Sequence, residues 1–267
     1  MKPCLILIAW QAHADYPLVV AANRDEYYRR PSATAQFWED HPHILAGRDL
    51  EGFGTWMGVT RDSRFAAVTN FRDPDDPRGN GARSRGELVS GFLEGSDSAP
   101  DYMAGVARER DAYRGFNLLA GDGRELWYYS NCGDLPRRLP PGVYGLSNHL
   151  LDTDWPKVRT GRSGLRTVLH PAPATDSLFA LLASAEPALD HELPETGVGL
   201  DRERMLSSAR IVSDSYGTRC STVLLGHRDG VMQYAERTWG PLGADGGIVR
   251  HTFLSNLTQA QSDLRMS

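Results

Sequence analysis

Cysteine is scarce in this chain. Cys4, Cys132 and Cys220 are the only three in 267 residues, and no two stand in a C-x-x-C pair. That spacing excludes a zinc ribbon and a disulfide framework. Long apolar runs are also missing, since none approaches the roughly 20 residues that a bilayer-spanning helix requires. Basic charge is not in excess either. The net charge is −5 and the pI is near 5.9, which argues against nucleic acid or an anionic membrane as the main partner. Met1-Lys2 followed by Leu5 to Trp10 is too short an apolar stretch for a secretory signal, because it soon meets His13 and Asp15. These absences predict a cytoplasmic chain. No internal repeat or low-complexity linker divides it, and residues 1–267 read as one domain.

The N-terminal third is β-rich. Leu5–Trp10 and Leu18–Ala22 are continuous apolar runs, of the kind found in strands covered on both faces. Trp56–Thr60 and Phe65–Thr69 flank a polar connection and predict a hairpin. Ser84-Arg85-Gly86-Glu87 fits a capping box and predicts a helix from Ser84, with Leu88, Val89, Phe92 and Leu93 as its apolar stripe. A second helix is predicted over Tyr102–Arg110, then strands at Phe116–Ala120, Glu125–Ser130 and Val143–Ser147. Pro156 opens a third helix and Ser177–Ala185 forms a fourth. Pro187–Asp201 reads as polar and irregular, and Cys220–Gly226 with Val231–Glu236 as a closing hairpin. Strands and helices that cluster in this way predict a layered α+β architecture rather than alternating βαβ units.

Three local patterns fail as motifs. Gly52-Phe53-Gly54-Thr55-Trp56-Met57 lacks the third glycine of a dinucleotide fingerprint and leads into a strand, so the helix N-terminus of a phosphate cradle is missing. His41-Pro42-His43 has no third ligand at usable spacing. Asp73-Pro74-Asp75-Asp76-Pro77 lacks the calcium-loop pattern and reads as a solvated turn.

Asn23-Arg24-Asp25-Glu26 is the richest stretch. Four polar residues follow directly on an apolar strand. If the strand that begins at Cys4 pairs with this one, a thiol and a charged cluster meet at one sheet end, which is how a cysteine nucleophile is activated. The alternative is a structural thiol beside a salt-bridged surface. Asn70, Asn148 and Arg219 also fall at predicted strand ends, in Thr69-Asn70-Phe71-Arg72, Leu146-Ser147-Asn148-His149 and Gly217-Thr218-Arg219-Cys220. Amides so placed either act as oxyanion donors or form turns.

Cys4, Asn23-Arg24-Asp25-Glu26, Gly54-Thr55-Trp56-Met57-Gly58, Thr69-Asn70-Phe71-Arg72, Ser84-Arg85-Gly86, Gly145-Leu146-Ser147-Asn148 and Tyr216-Gly217-Thr218-Arg219, in that order, resemble the NRDE family, also called the transport and Golgi organisation protein 2 family. The family is in turn remotely similar to N-terminal-nucleophile hydrolases of the choloylglycine and penicillin V acylase branch. The resemblance implies a four-layer αββα sandwich, two antiparallel sheets between helical layers, and hydrolysis of a non-peptide amide by Cys4. It implies that Arg24 and Asp25 poise the thiol and its amine, and that Asn70 and Asn148 receive the oxyanion. Arg219 would complete the charge network or hold an acidic substrate group.

One departure stands out. That chemistry uses the free α-amine of the nucleophile as its base, yet Met1-Lys2-Pro3 precede Cys4. The resemblance also brings a rival role, a non-catalytic carrier of haem or another apolar ligand in the same cleft. No C-x-x-C-H is present for covalent haem, and His149 is a more open candidate ligand than Cys4. The enzyme reading needs no cofactor, and its partner is a small-molecule substrate.

Overall fold

The computed structural model describes residues 4–78, 83–133 and 135–256; Met1-Lys2-Pro3, on whose removal the expected chemistry turns, lie outside them. The two N-terminal apolar runs become β1 (Cys4–Trp10) and β2 (Leu18–Tyr27), every residue of which is buried except Tyr27. β2 is longer than its apolar run. Asn23-Arg24-Asp25-Glu26 does not leave the strand but continues it, because β-strands on both sides supply its backbone partners.

A meander follows: β3 (Ser32–Phe37), β4 (Ile44–Asp49), β5 (Met57–Thr60) and β6 (Phe65–Asn70), then, after two helices, β7 (Phe116–Gly121), β8 (Leu126–Ser130) and β9 (Arg137–Leu139). These seven strands form one antiparallel sheet in chain order. β10 (Gly142–Leu146), β11 (Tyr216–Gly226), β12 (Val231–Trp239) and β13 (Asp245–Leu254) join β1 and β2 in the other sheet, in the order β10-β1-β2-β11-β12-β13. The helices are α1 (Glu87–Glu94), α2 (Ala99–Arg108), α3 (Pro156–Val168), α4 (Thr175–Leu182) and α5 (Leu200–Ser207).

Strand alternation sorts the apolar residues into layers. Ile6, Ile8, Val20 and Ala22 face Met57, Val59, Phe65 and Leu119 between the sheets. Leu5, Leu7, Val19 and Ala21 pack against Val158, Leu165, Leu178 and Leu182 of α3 and α4. Ala66, Val68 and Leu118 meet Leu88, Phe92 and Met103 of α1 and α2. The result is the αββα sandwich. No helix among the described residues is long and apolar enough to cross a membrane.

Several boundaries differ from expectation. α1 starts at Glu87, not Ser84. The Glu87 carboxylate still accepts the Ser84 N–H at 3.3 Å, but the serine hydroxyl does not cap the helix. α2 starts earlier, at Ala99, where Ser98 Oγ accepts the Asp101 N–H. α5 emerges from the end of the stretch read as irregular, and β3, β4, β9 and β13 were not foreseen. β3, β9 and β13 lie at sheet edges or bury few residues, so period-2 patterning has little to mark.

Gly54 explains why two separated motifs occur together. A Cβ there would lie 2.4 Å from the Gly86 carbonyl carbon and 2.6 Å from its oxygen, so the Gly54 loop and the Ser84-Arg85-Gly86 loop are in backbone contact. Gly54→Ala is expected to lower stability by about 1–3 kcal/mol through overpacking, read as a reduced urea midpoint. Gly105→Ala in α2 is the control: its Cβ meets nothing nearer than 3.8 Å, so it should stabilise by up to about 1 kcal/mol. Equal responses from the two would refute the contact.

Candidate functional site

Antiparallel pairing places Cys4 opposite Arg24, and Ile6 opposite Leu146, so the start of β1 lies beside the turn after β10. There the two sheets are tied together. The Cys4 N–H donates to Asn148 Oδ1 at 3.1 Å, and Ser147 Oγ donates to the Cys4 carbonyl at 2.8 Å. Asn148 Nδ2 donates to the Asn70 carbonyl at 2.8 Å, and Thr69 Oγ1 donates to the Ser147 carbonyl at 2.6 Å. Cys4, Arg24, Asp25 and Asn70 all line one pocket of about 520 Å³, walled also by Trp56 and by Ser84-Arg85-Gly86.

Alternation splits the four-residue cluster across the sheet. Arg24 lies on the inter-sheet side with Cys4, stacked 4.2 Å above the Trp56 ring, with Nη2 3.3 Å from Asp49 Oδ2. Its Nη1 is buried with no hydrogen-bond partner. Glu26 shares that side, accepts the Tyr27 N–H at 2.8 Å, and lines the same pocket. Asn23 points the other way and donates to the Leu182 and Ala209 carbonyls. The Asp25 carboxylate follows Asn23 to the helical side, while its backbone amide faces the Cys4 thiol and offsets part of the rise in the thiol's pKa.

Beneath the sheet lies a buried polar group that sequence reading missed. Thr218 Oγ1 donates to Asp25 Oδ1 at 2.5 Å, and Arg72 pairs with Glu203 at 2.8 Å, both deeply buried. Lys157, in the first turn of α3, is buried with no hydrogen-bond partner on Nζ; Asp25 Oδ2 and Tyr216 Oη are in the same condition. Burial pushes the Asp25 carboxyl up and the Lys157 ammonium down, and each opposes the other's shift. Burial thus drives both toward their neutral forms, and the attraction between them offsets part of that drive. Two signals pointed to Lys157. Lysine occurs only at Lys2 and Lys157, in a chain whose other cations are arginines. A cation in the first turn of a helix also opposes the helix dipole.

Arg219 is placed elsewhere. It is the bulged residue between Thr218 and Cys220, and its Nη1 donates to the carbonyls of Tyr27, Tyr28 and Arg30. The bulge aims it at the turn after β2, whose backbone it holds, and it does not line the Cys4 pocket. His149 Nδ1 lies 2.9 Å from Thr153 Oγ1, and its ring packs against Phe71 and Trp155. Among the described residues no group of three or more His, Cys, Asp or Glu is placed to hold a metal.

The resting thiol is not activated by Arg24 alone. Burial, reinforced by the Asp25 carboxylate, pushes Cys4 up to about 11, and Arg24 and Lys157 offset only part of this. Cys220 is also buried and pushed well above its ordinary value, first by burial and then by Glu236. Cys132 is half-buried, and its sulfur accepts from Arg78 Nη2 at 3.1 Å. Iodoacetamide near neutral pH should therefore label Cys132 first. Cys4 labelling should rise by about tenfold per pH unit below its pKa, because only the thiolate reacts. Peptide mapping after timed alkylation checks this, and labelling of Cys4 ahead of Cys132 at pH 7 would contradict it.

The family model described as Transport and Golgi organisation 2 matches residues 3–241. The bovine Transport and Golgi organization protein 2 homolog is 37% identical over 248 residues, covering 86% of this chain and 88% of the relative. The human homolog is 38% identical over 242 residues, covering 84% and 87%. Among solved structures, a Caenorhabditis elegans N-acylethanolamine-hydrolyzing acid amidase ortholog aligns at a TM-score of 0.46 and 9% identity, over 83% of this chain and 92% of that one. A mutant conjugated bile acid hydrolase from Clostridium perfringens aligns at 0.33 and 10%, over 95% and 84%. With the family pattern running from β1 into the segment after β12, and mammalian relatives above one-third identity along most of both chains, the chain belongs to the Transport and Golgi organisation 2 family.

Proposed function

We propose that this protein is a cysteine amidohydrolase acting on a small non-peptide amide, with Cys4 as nucleophile. The observation that carries the reading is the seat of Cys4. Cys4 lines the pocket, it stands opposite Arg24 across the strand pair, and its backbone nitrogen is held by Asn148 Oδ1. An α-amine freed at that nitrogen would stand next to the thiol, already oriented by a hydrogen-bond acceptor. Asn148 thus fits the task of holding the amine better than that of receiving an oxyanion. Asn70, which lines the pocket, keeps the oxyanion role, with the unpartnered Nη1 of Arg24 as a second donor.

A thiol held near 11 needs a base at the moment of attack. The amine takes the thiol proton as Cys4 Sγ bonds to the substrate carbonyl carbon. The tetrahedral intermediate then collapses, the C–N bond breaks, and the departing amine receives that proton. Water attacks the resulting thioester, the carboxylic acid leaves, and the thiol is restored. Asp25 and Lys157 supply the charge balance behind this exchange. A pocket walled by Arg24, Arg30, Asp49 and Glu51 suits a polar substrate better than the apolar face of a porphyrin, so the carrier role is the weaker reading.

Protein beginning at Cys4 should hydrolyse a member of an acyl-amide panel, whereas protein retaining residues 1–3 should not; intact mass identifies the species tested. Asn70→Ala should slow turnover by about 10²–10³ with little change in KM, because an oxyanion donor acts mainly in the transition state. Equal turnover by both N-terminal forms would remove the amine from the mechanism. Failure of the Cys4-starting protein on every substrate would favour the carrier.

A further inference from the structure

Most of the charge in the Cys4 pocket is paired. Arg24 and Arg30 share Asp49, and Arg30 also reaches Glu51 at 2.8 Å and Glu26 at 3.7 Å. Arg83 is taken by Glu87 and Glu109. Arg85 and Arg114 line the same pocket and differ from these. Among the described residues, neither forms an ion pair with a carboxylate.

Arg85 is fixed in place. Its loop rests on Gly54, and the Gly86 carbonyl accepts the Thr55 N–H at 3.4 Å. Its Nη1 donates to the Gly115 carbonyl at 3.0 Å, and the Gly115 N–H is itself held by Asp76 Oδ2 at 2.7 Å. The Asp73–Pro77 segment is therefore more than a solvated turn, because it anchors the backbone between the two arginines. Burial brings Arg85 down to about 10, and the Arg114 charge adds to that. Arg85 has lost solvation, the Arg114 charge repels it, and among the described residues no carboxylate lies within ion-pair distance of either guanidinium. The chain as a whole carries a net charge of −5, so this local positive field runs against the global sign and is suited to attracting an anion.

We propose that Arg85 and Arg114 form an anion subsite of the Cys4 pocket, so that its ligand carries a carboxylate or phosphoryl group. The planar fork of arginine matches both of these oxyanions. The subsite rests on the Cys4 pocket being the ligand site, and it holds whether the ligand is cleaved or carried. It takes the substrate-holding role that Arg219, occupied with the turn after β2, does not fill.

Isothermal titration of the full chain at constant ionic strength tests the subsite, with inorganic phosphate, inorganic pyrophosphate and glutarate as probes. At least one probe should bind saturably in the wild type. Arg114→Gln should weaken that binding by about tenfold or more, the loss expected for a charge-assisted hydrogen bond. Arg85→Gln should do the same. If that variant is destabilised by losing its bond to Gly115, the exposed Arg114 still carries the test. Arg124→Gln, in the turn between β7 and β8, should bind as the wild type does. Binding of the phosphorus anions alone assigns a phosphoryl group, and binding of glutarate alone assigns a carboxylate. The subsite is overturned if no probe binds saturably, or if Arg114→Gln binds as tightly as the wild type. Loss of anion binding is separable from the hydrolase reading, which fails only if the Cys4-starting protein lacks turnover.

Discussion

The antiparallel pairing of β1 with β2 is the constraint on which the site depends. With Cys4 set opposite Arg24, the thiol, the guanidinium and the Asp25 N–H come together with no loop to position them. A slip of one residue would turn Cys4 toward the helices and send Leu5 into the pocket. Burial of both faces makes such a slip costly, because Ile6, Ile8, Val20 and Ala22 fill one core and Leu5, Leu7, Val19 and Ala21 another. Two hydrophobic layers thus specify the register, and the register sets which side chains face the pocket.

The same alternation distributes charge between two environments. Arg24 and Glu26 look into the pocket, where Asp49, Arg30 and solvent moderate them. Asp25 looks into the helical side, beside Lys157, Arg72 and Glu203. Charges in such a place cost several kcal/mol each unless they are paired or neutralised, and here two of them are pushed toward neutrality instead. Asp25, Lys157 and Tyr216 each keep a buried polar atom without a hydrogen-bond partner, which costs stability at this place. Lysine rather than arginine suits that place, since only the ammonium readily gives up its proton on burial.

The two sheets close over the pocket through polar contacts, not apolar ones. Asn148 links the start of β1 to the end of β6, Thr69 reaches the turn after β10, and Asn117 braces both Thr69 and the His149 carbonyl. These residues sit at strand ends because there the ladder stops supplying backbone partners and side chains take over.

Apolar runs and turn residues were enough to read β1, the first half of β2, β7, β8 and helices α1 to α4, because each buries a stripe that local periodicity records. The clustering of polar residues at strand ends likewise marked Cys4, Arg24, Asp25, Asn70 and Asn148 before any coordinates. What the sequence could not express is direction. Whether Asp25 faces the pocket or the helices follows from parity counted along a strand whose end is set by its neighbours. Whether Arg219 reaches a ligand or a carbonyl follows from a bulge. The rise of the Cys4 thiol, and the convergence of Lys157 with Asp25 across 132 positions of chain, arise from burial. Burial is a property of the packed layers, and only the tertiary structure decided it.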